Sequence, residues 1–290
     1  MTSVSESAPA TARPHKPLWL GRKAIAVAAT LLVLAAFWGI SIPWEILPEL
    51  PGRFVHYFAL MFLPPAWSQL GAALNATLLS VAMAWFGTAI GVVISFPLSL
   101  LSIRGITPAF IRWPLRGFFG LLRAVPEVAI AVLMLSVTGL TAYTGALAIA
   151  LGSIGTLGKW GYESFESVDP GVLEAVRSCG GSRFALVRWG VWTMAKPNVF
   201  AFWLYRFEIS VRASAILGLI GAGGIGKMLI DNIEYRVWDV VGMLMLVVVV
   251  VTMLIDQLSG LVRHRIITGQ WELPLISWIT GRRTRRATTH

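Results

Sequence analysis

Long apolar runs, separated by short polar or proline-rich segments, set the pattern of this 290-residue chain. Runs at residues 24–42, 70–96, 117–137, 142–161, 198–220 and 237–261 are each long enough to cross the membrane's hydrocarbon core as a helix. The pattern therefore predicts an all-α integral membrane protein with six spans. The first run follows Arg13, Lys16, Arg22 and Lys23 and ends at Ser41-Ile42-Pro43-Trp44. It has no small-residue cleavage site, so it reads as a retained helix and not as a signal peptide. Residues 1–23 read as a disordered tail, rich in Ser, Thr, Ala and Pro at its start. Residues 43–69 contain five prolines and several aromatics, which predicts an interfacial segment outside the membrane. The second run carries Gly71, Ala72, Ala73, Gly87 and Gly91, small residues that let helices approach closely. Arg123 and Pro126-Glu127 interrupt the third run, and the fourth is rich in Gly and Ala. Residues 24–266 make the membrane domain. Residues 267–290 make a basic tail with an amphipathic piece at Trp271–Trp278.

One stretch between the fourth and fifth runs, residues 164–197, is polar and helix-capable. Asp169 suits an N-cap and Pro170 the first helical position. Gly180-Gly181 offers the left-handed turn that ends such a helix. A second short segment, Ser182 to Trp192, sets Arg183 and Arg188 beside Phe184, Leu186 and Trp189, and Pro197 marks the return to an apolar run. This predicts two short helices at the membrane surface.

At 56% hydrophobic and 13% charged residues, the chain is too apolar for an ordinary soluble domain. Its net charge of +10 could suggest nucleic acid, but the placement of the charges argues otherwise. With the N-terminus inside, the inner segments carry 17 Lys or Arg and the outer ones 3. That asymmetry follows the positive-inside rule and places both termini, and the Glu174 loop, in the cytoplasm of a multi-pass cell-membrane protein. Arg282, Arg283, Arg285 and Arg286 would hold the tail against anionic membrane lipid. Cys179 is the single cysteine and the four histidines are scattered, so no metal site or internal disulfide is expected. The sequence contains no G-x-x-x-x-G-K-[ST] phosphate loop.

Charged side chains within a span cost about 2.5–3.5 kcal/mol each and need a reason. Arg123 and Glu127, and likewise Glu208 and Arg212, stand four apart, a spacing that puts opposite charges on one helix face. Arg206 has no partner at such a spacing. Two readings stay open: charges that brace the bundle, with Arg206 answering an acid on another helix, or a basic lining for an anion. Arginine suits the second because its planar fork matches phosphonate or phosphate oxygens. Gly221-Ala222-Gly223-Gly224-Ile225-Gly226 fits G-x-G-x-x-G, yet it follows a membrane run and not a strand. A dinucleotide site is therefore rejected in favour of a tight backbone reversal.

Two groups of residues also resemble a known family. Glu174-Ala175-Val176, followed after three residues by Gly180, resembles the EAA motif of ABC-importer permeases. The Leu-Pro pair that closes that motif would fall on Trp192-Thr193, so the far end departs from the pattern. Tyr205–Ala213 and Leu217–Gly226 resemble the signature of the PhnE-type phosphonate permeases. Arg123-Ala124-Val125-Pro126-Glu127 is similar to that family's third-span motif, and Asp256-Gln257-Leu258-Ser259 to its ending. The resemblance covers roughly residues 70–266. It implies a type I ABC importer permease bundle whose cytoplasmic coupling helix contacts an ATPase through Glu174, Ala175, Arg177, Gly180, Gly181 and Arg183. It makes Arg123, Glu127, Arg206, Glu208 and Arg212 candidates for the translocation pathway. Gly221, Gly223, Gly224 and Gly226 become a gate or external turn. It further implies a PhnC-like ATPase that holds ATP and Mg, an external PhnD-like phosphonate-binding protein, and a second permease copy. The chain itself would be no enzyme and bind no cofactor. Its solute would be phosphonate, phosphate or phosphite. The alternative is another small solute such as methionine or betaine. A membrane enzyme acting on lipid would need a cluster of nucleophile, base or metal ligands, and none is evident. A channel without an ATPase is disfavoured by the EAA-like loop.

Overall fold

The computed structural model describes residues 20–39 and 44–268. Most of the expected N-terminal tail, and the Trp271–Trp278 piece with its arginine cluster, lie outside the described residues. The chain divides into two compact units, Met1–Val55 and His56–His290. In the first, helix α1 (Leu20–Gly39) already includes Leu20–Lys23, expected to belong to the tail. A 3₁₀ segment, Trp44–Glu49, leads into α2 (Leu50–Phe62), and Glu49 pairs with Arg53 at 2.6 Å. The proline-rich 43–69 stretch is thus largely helical. Pro51 sits in the first turn of α2, where its missing N–H breaks no helical bond.

The second unit is built around α6 (Ala142–Glu166), the helix with most buried positions. Against it lie α3 (Leu70–Leu100), the broken pair α4 (Ala109–Ala124) and α5 (Glu127–Thr138), and α9 (Trp192–Leu217). A short α7 (Pro170–Ser178) and the single turn α8 (Arg183–Ala185) join α6 to α9. Beyond α9 come α10 (Gly224–Glu234) and α11 (Trp238–Thr268). No strand occurs among the described residues.

Small residues set the α3–α6 seam. A Cβ on Gly87 would stand 2.6 Å from the Ala146 carbonyl oxygen, and one on Gly161 2.8 Å from Ser99 Cβ. Residues 87, 91 and 99 of α3 thus meet 146–149, 153 and 161 of α6, so the two helices run parallel. Residues 119 and 127 meet 158 and 152, and Arg206 meets Ser153 while Phe202 meets Trp160. The α4–α5 pair and α9 therefore run the opposite way. Helix α11 pairs antiparallel with α9 through Asp256 to Arg212 and Arg263 to Glu208. Close-packed and alternating in direction in chain order, α3, α4–α5, α6, α9 and α11 form a helical bundle.

Trp67–Leu100 and Trp238–Ile267 are long and apolar enough to cross a membrane unaided. Two bent pairs also qualify if each counts as one span: Ala109–Ala124 with Glu127–Thr138, bent by 89°, and Arg183–Ala222 with Gly224–Glu234, bent by 54°. Lys23–Gly39 is apolar but shorter. Helix α6 is long enough, at about 37 Å by helical rise, but its neighbours cover it, so Gly, Ser and Lys replace lipid-facing bulk. Large side chains point instead from the periphery, with Phe110, Trp113, Leu121 and Val137 all exposed.

Two boundaries differ from expectation. Pro197 lies inside α9 and not at a chain reversal. A π-helical turn, Leu186–Val191, joins α8 to α9, so the helical run into the bundle begins at Arg183. Helix α11 likewise continues to Thr268, past the expected end of the sixth span.

Candidate functional site

Three groups of candidate residues fall on one framework. The first is α7. The Asp169 side chain accepts a bond from the Gly171 amide at 2.8 Å, and Pro170 occupies the first turn. At the other end Gly180 takes φ 75°. Its amide donates to the Arg177 carbonyl at 2.9 Å and the Gly181 amide to that of Val176 at 3.1 Å, the paired bonds of a Schellman ending. Ser182 then caps the next turn through the Ala185 amide at 3.3 Å. One face, with Leu173 and Val176, turns inward. Leu173 packs on the cluster of Ile103, Phe165, Val168, Val191 and Ala195, and Val176 lies over Gly181 and Gly190. The opposite face carries Glu174, Ala175 and Arg177 exposed, followed by exposed Gly180 and Arg183, with Gly181 half-buried. Phe184 and Trp189 are also exposed.

The base of this segment is fixed by residues the sequence reading did not single out. Glu166, at the end of α6, pairs with Arg116 of α4 and accepts the Arg104 amide at 2.7 Å. Arg116 also donates to the Ser102 carbonyl at 2.7 Å and lies 4.1 Å from the Tyr162 ring centroid. Nothing local in the sequence announces the Arg116–Glu166 pair, whose members stand 50 residues apart.

The second group is a charge network inside the bundle. Arg206, 4% exposed, donates from Nε to Ser153 Oγ at 2.9 Å and from Nη2 to Glu127 Oε1. Thus α9, α6 and α5 meet at one guanidinium. Glu208 accepts Arg212 Nη2 at 2.6 Å on one oxygen and Arg263 Nη2 at 3.0 Å on the other, and Arg212 also reaches Asp256 at 3.1 Å. The expected Arg123–Glu127 pair does not form. Pro126 breaks the helix between them, leaving Arg123 exposed at the end of α4 and Glu127 opening α5 toward Arg206. Arg206, Arg212 and Arg263 face Glu127, Glu208 and Asp256, so the charges within the bundle balance, and Arg206 answers an acid on another helix. Asp256 appears in the sequence only as part of a motif, and Arg263 carries no local signal of its partner 55 residues away.

The third group is the glycine turn after α9. Gly221, Gly223 and Gly224 all have positive φ, reversing the chain between α9 and α10. The turn is packed. Ser80 of α3 accepts the Ile225 amide at 3.0 Å, and a Cβ on Gly145 of α6 would stand 2.9 Å from that of Ala222. It lies beside the start of α6, whereas α7 follows its end, so the two features occupy opposite ends of the bundle.

The structure thus sets a capped helix with an exposed face at one end of the bundle and a packed glycine turn at the other. Residues 102–268 match the family described as the binding-protein-dependent transport system inner membrane component, and the chain belongs to that family. The phosphate-import permease protein PhnE of Mycolicibacterium smegmatis is 38% identical over 207 residues, covering 71% of this chain and 39% of that protein. The chain thus spans about two-fifths of that relative's length. The phosphite transport system permease protein PtxC of Stutzerimonas stutzeri is 31% identical, covering 69% of this chain and 74% of that one. Among solved structures, an inward-facing form of the MetNI methionine ABC transporter matches with TM-score 0.63 at 18% identity, over 69% of this chain and 99% of the other. That likeness establishes the type I importer fold.

Proposed function

We propose that this chain is the permease of an ATP-driven importer for phosphonate or a related phosphorus oxyanion, phosphate or phosphite. The observation that carries this reading is its similarity to the PhnE and PtxC permeases over some seven-tenths of its length. A PhnC-like ATPase subunit, holding ATP and Mg, docks on the exposed face of α7 at Glu174, Ala175, Arg177, Gly180 and Arg183. Because α8 and the π turn run straight into α9, a push on α7 reaches Arg206, about 35 Å along the helix by its rise per residue. Closure of the ATPases thus moves the helix that carries Arg206, Glu208 and Arg212, half of the charge network. The switch lies in the differential contacts the network makes in two bundle states. The Gly221–Gly226 turn, at the far end, serves as the gate or docking point for a PhnD-like external binding protein. A second copy of the chain completes the pathway. The membrane is the cytoplasmic one, with both termini inside.

A strain lacking this chain tests the substrate. Expression of the chain should restore uptake of radiolabelled phosphonate, phosphite or phosphate. Restoration of methionine or betaine uptake in its place contradicts the reading.

A further inference from the structure

We propose that Glu127 is a resting counter-ion which the transported oxyanion replaces on Arg206. The inference rests on the importer reading and assigns a chemical role to one ion pair within it. Four observations carry it. First, Arg206 is the most deeply buried arginine of the network, its side chain 5% exposed, while that of Glu127 is 24% exposed. The carboxylate is therefore the reachable member of the pair. Second, among the described residues Arg206 uses Nε on Ser153 and Nη2 on Glu127, and Nη1 makes no hydrogen bond. A tetrahedral oxyanion presents oxygens to two guanidinium nitrogens at once, where the single Glu127 oxygen occupies one.

Third, Glu127 is built to leave. It opens α5 directly after the extended Val125–Pro126 link, in the first turn, where amides have no intrahelical partner. Its carboxylate lies over Gly152, where a Cβ would stand 2.8 Å from Oε1 and fill the space. Fourth, the remaining arginines are committed. Arg212 is held by Glu208 and Asp256, and Arg263 by Glu208, across two helices. Glu127 answers Arg206 and no second arginine, whereas Glu208 is shared by two, so an arriving anion can free Glu127 by a one-for-one exchange. The buried guanidinium then never stands without a negative partner, a state that low-dielectric surroundings penalise heavily. Glu127, returning, expels the anion.

The test uses the permease–ATPase assembly purified in detergent, without the binding protein, and labelled inorganic phosphate and phosphite as probes. Glu127→Gln should bind an oxyanion at least about tenfold more tightly than the wild type, by removal of one competing charged hydrogen bond. The Glu127→Gln/Arg206→Gln double variant removes both charges, assembles with the ATPase, and should lose that binding and most uptake in proteoliposomes. Binding to Glu127→Gln no tighter than to the wild type overturns the proposal. So does wild-type uptake by the double variant, the result that a purely bracing ion pair requires. If the intact wild-type importer carries no phosphorus oxyanion, the functional reading fails by itself. If it does carry one, the binding comparison alone decides the exchange.

Discussion

Glu208 satisfies two guanidinium groups with one carboxylate, at 2.6 Å to Arg212 and 3.0 Å to Arg263. Removing that charge leaves Arg263 without its acid while Arg212 keeps Asp256, and because Arg263 is 32% exposed the cost falls below the about 3–5 kcal/mol of a fully buried pair. Glu208→Gln should therefore lower the thermal unfolding midpoint in detergent. Arg123→Ala, at an exposed side chain with no ion pair among the described residues, should change stability by less than about 0.5 kcal/mol. The Glu208–Arg212 pair was legible because a spacing of four on an unbroken helix is local geometry. The same spacing misled at Arg123 and Glu127, where Pro126 between them carried the contrary signal. Arg206 and Glu127 are 79 residues apart, and only the fold brings them together.

At the scale of elements, α7 owes its shape to its ends. Its limits were legible because Asp169, Pro170 and Gly180 each act locally, through a side-chain cap, a fixed φ and a positive φ. Asp169→Ala should cost about 1 kcal/mol of helix stability through the lost cap. That loss is local, so ATPase affinity, measured by titration of the detergent-purified chain, should fall while the global unfolding midpoint holds. An unchanged affinity would separate α7 from the docking role. The continuity of α8 with α9 was not legible. Pro197 signals a break, yet a helix can carry an interior proline where neighbouring structure supports its backbone. The apolar runs from residue 70 onward coincide with the main helices of the second unit, in the same order. They did not anticipate how far α4 and α5 bend at Val125–Pro126, since hydropathy averages across a two-residue interruption.

For the whole molecule, orientation is the first consequence to check. Cys179 is exposed at the C-cap of α7, and Tyr235 is 81% exposed just beyond α10. Because α7 and α10 lie at opposite ends of the bundle, a membrane-impermeant maleimide should label a Cys179→Ser/Tyr235→Cys variant in intact cells. The native Cys179 should react only after permeabilisation. The reverse pattern overturns the positive-inside assignment. The remaining claim is that this bundle generates no energy of its own and is driven through α7 by a separate ATPase. It is tested most directly by solute entry into proteoliposomes holding the chain, its ATPase and its binding protein. The account predicts phosphorus-oxyanion uptake that requires ATP and is abolished by Glu174→Ala with the assembly intact. Uptake that proceeds without nucleotide, or survives that substitution unchanged, contradicts it.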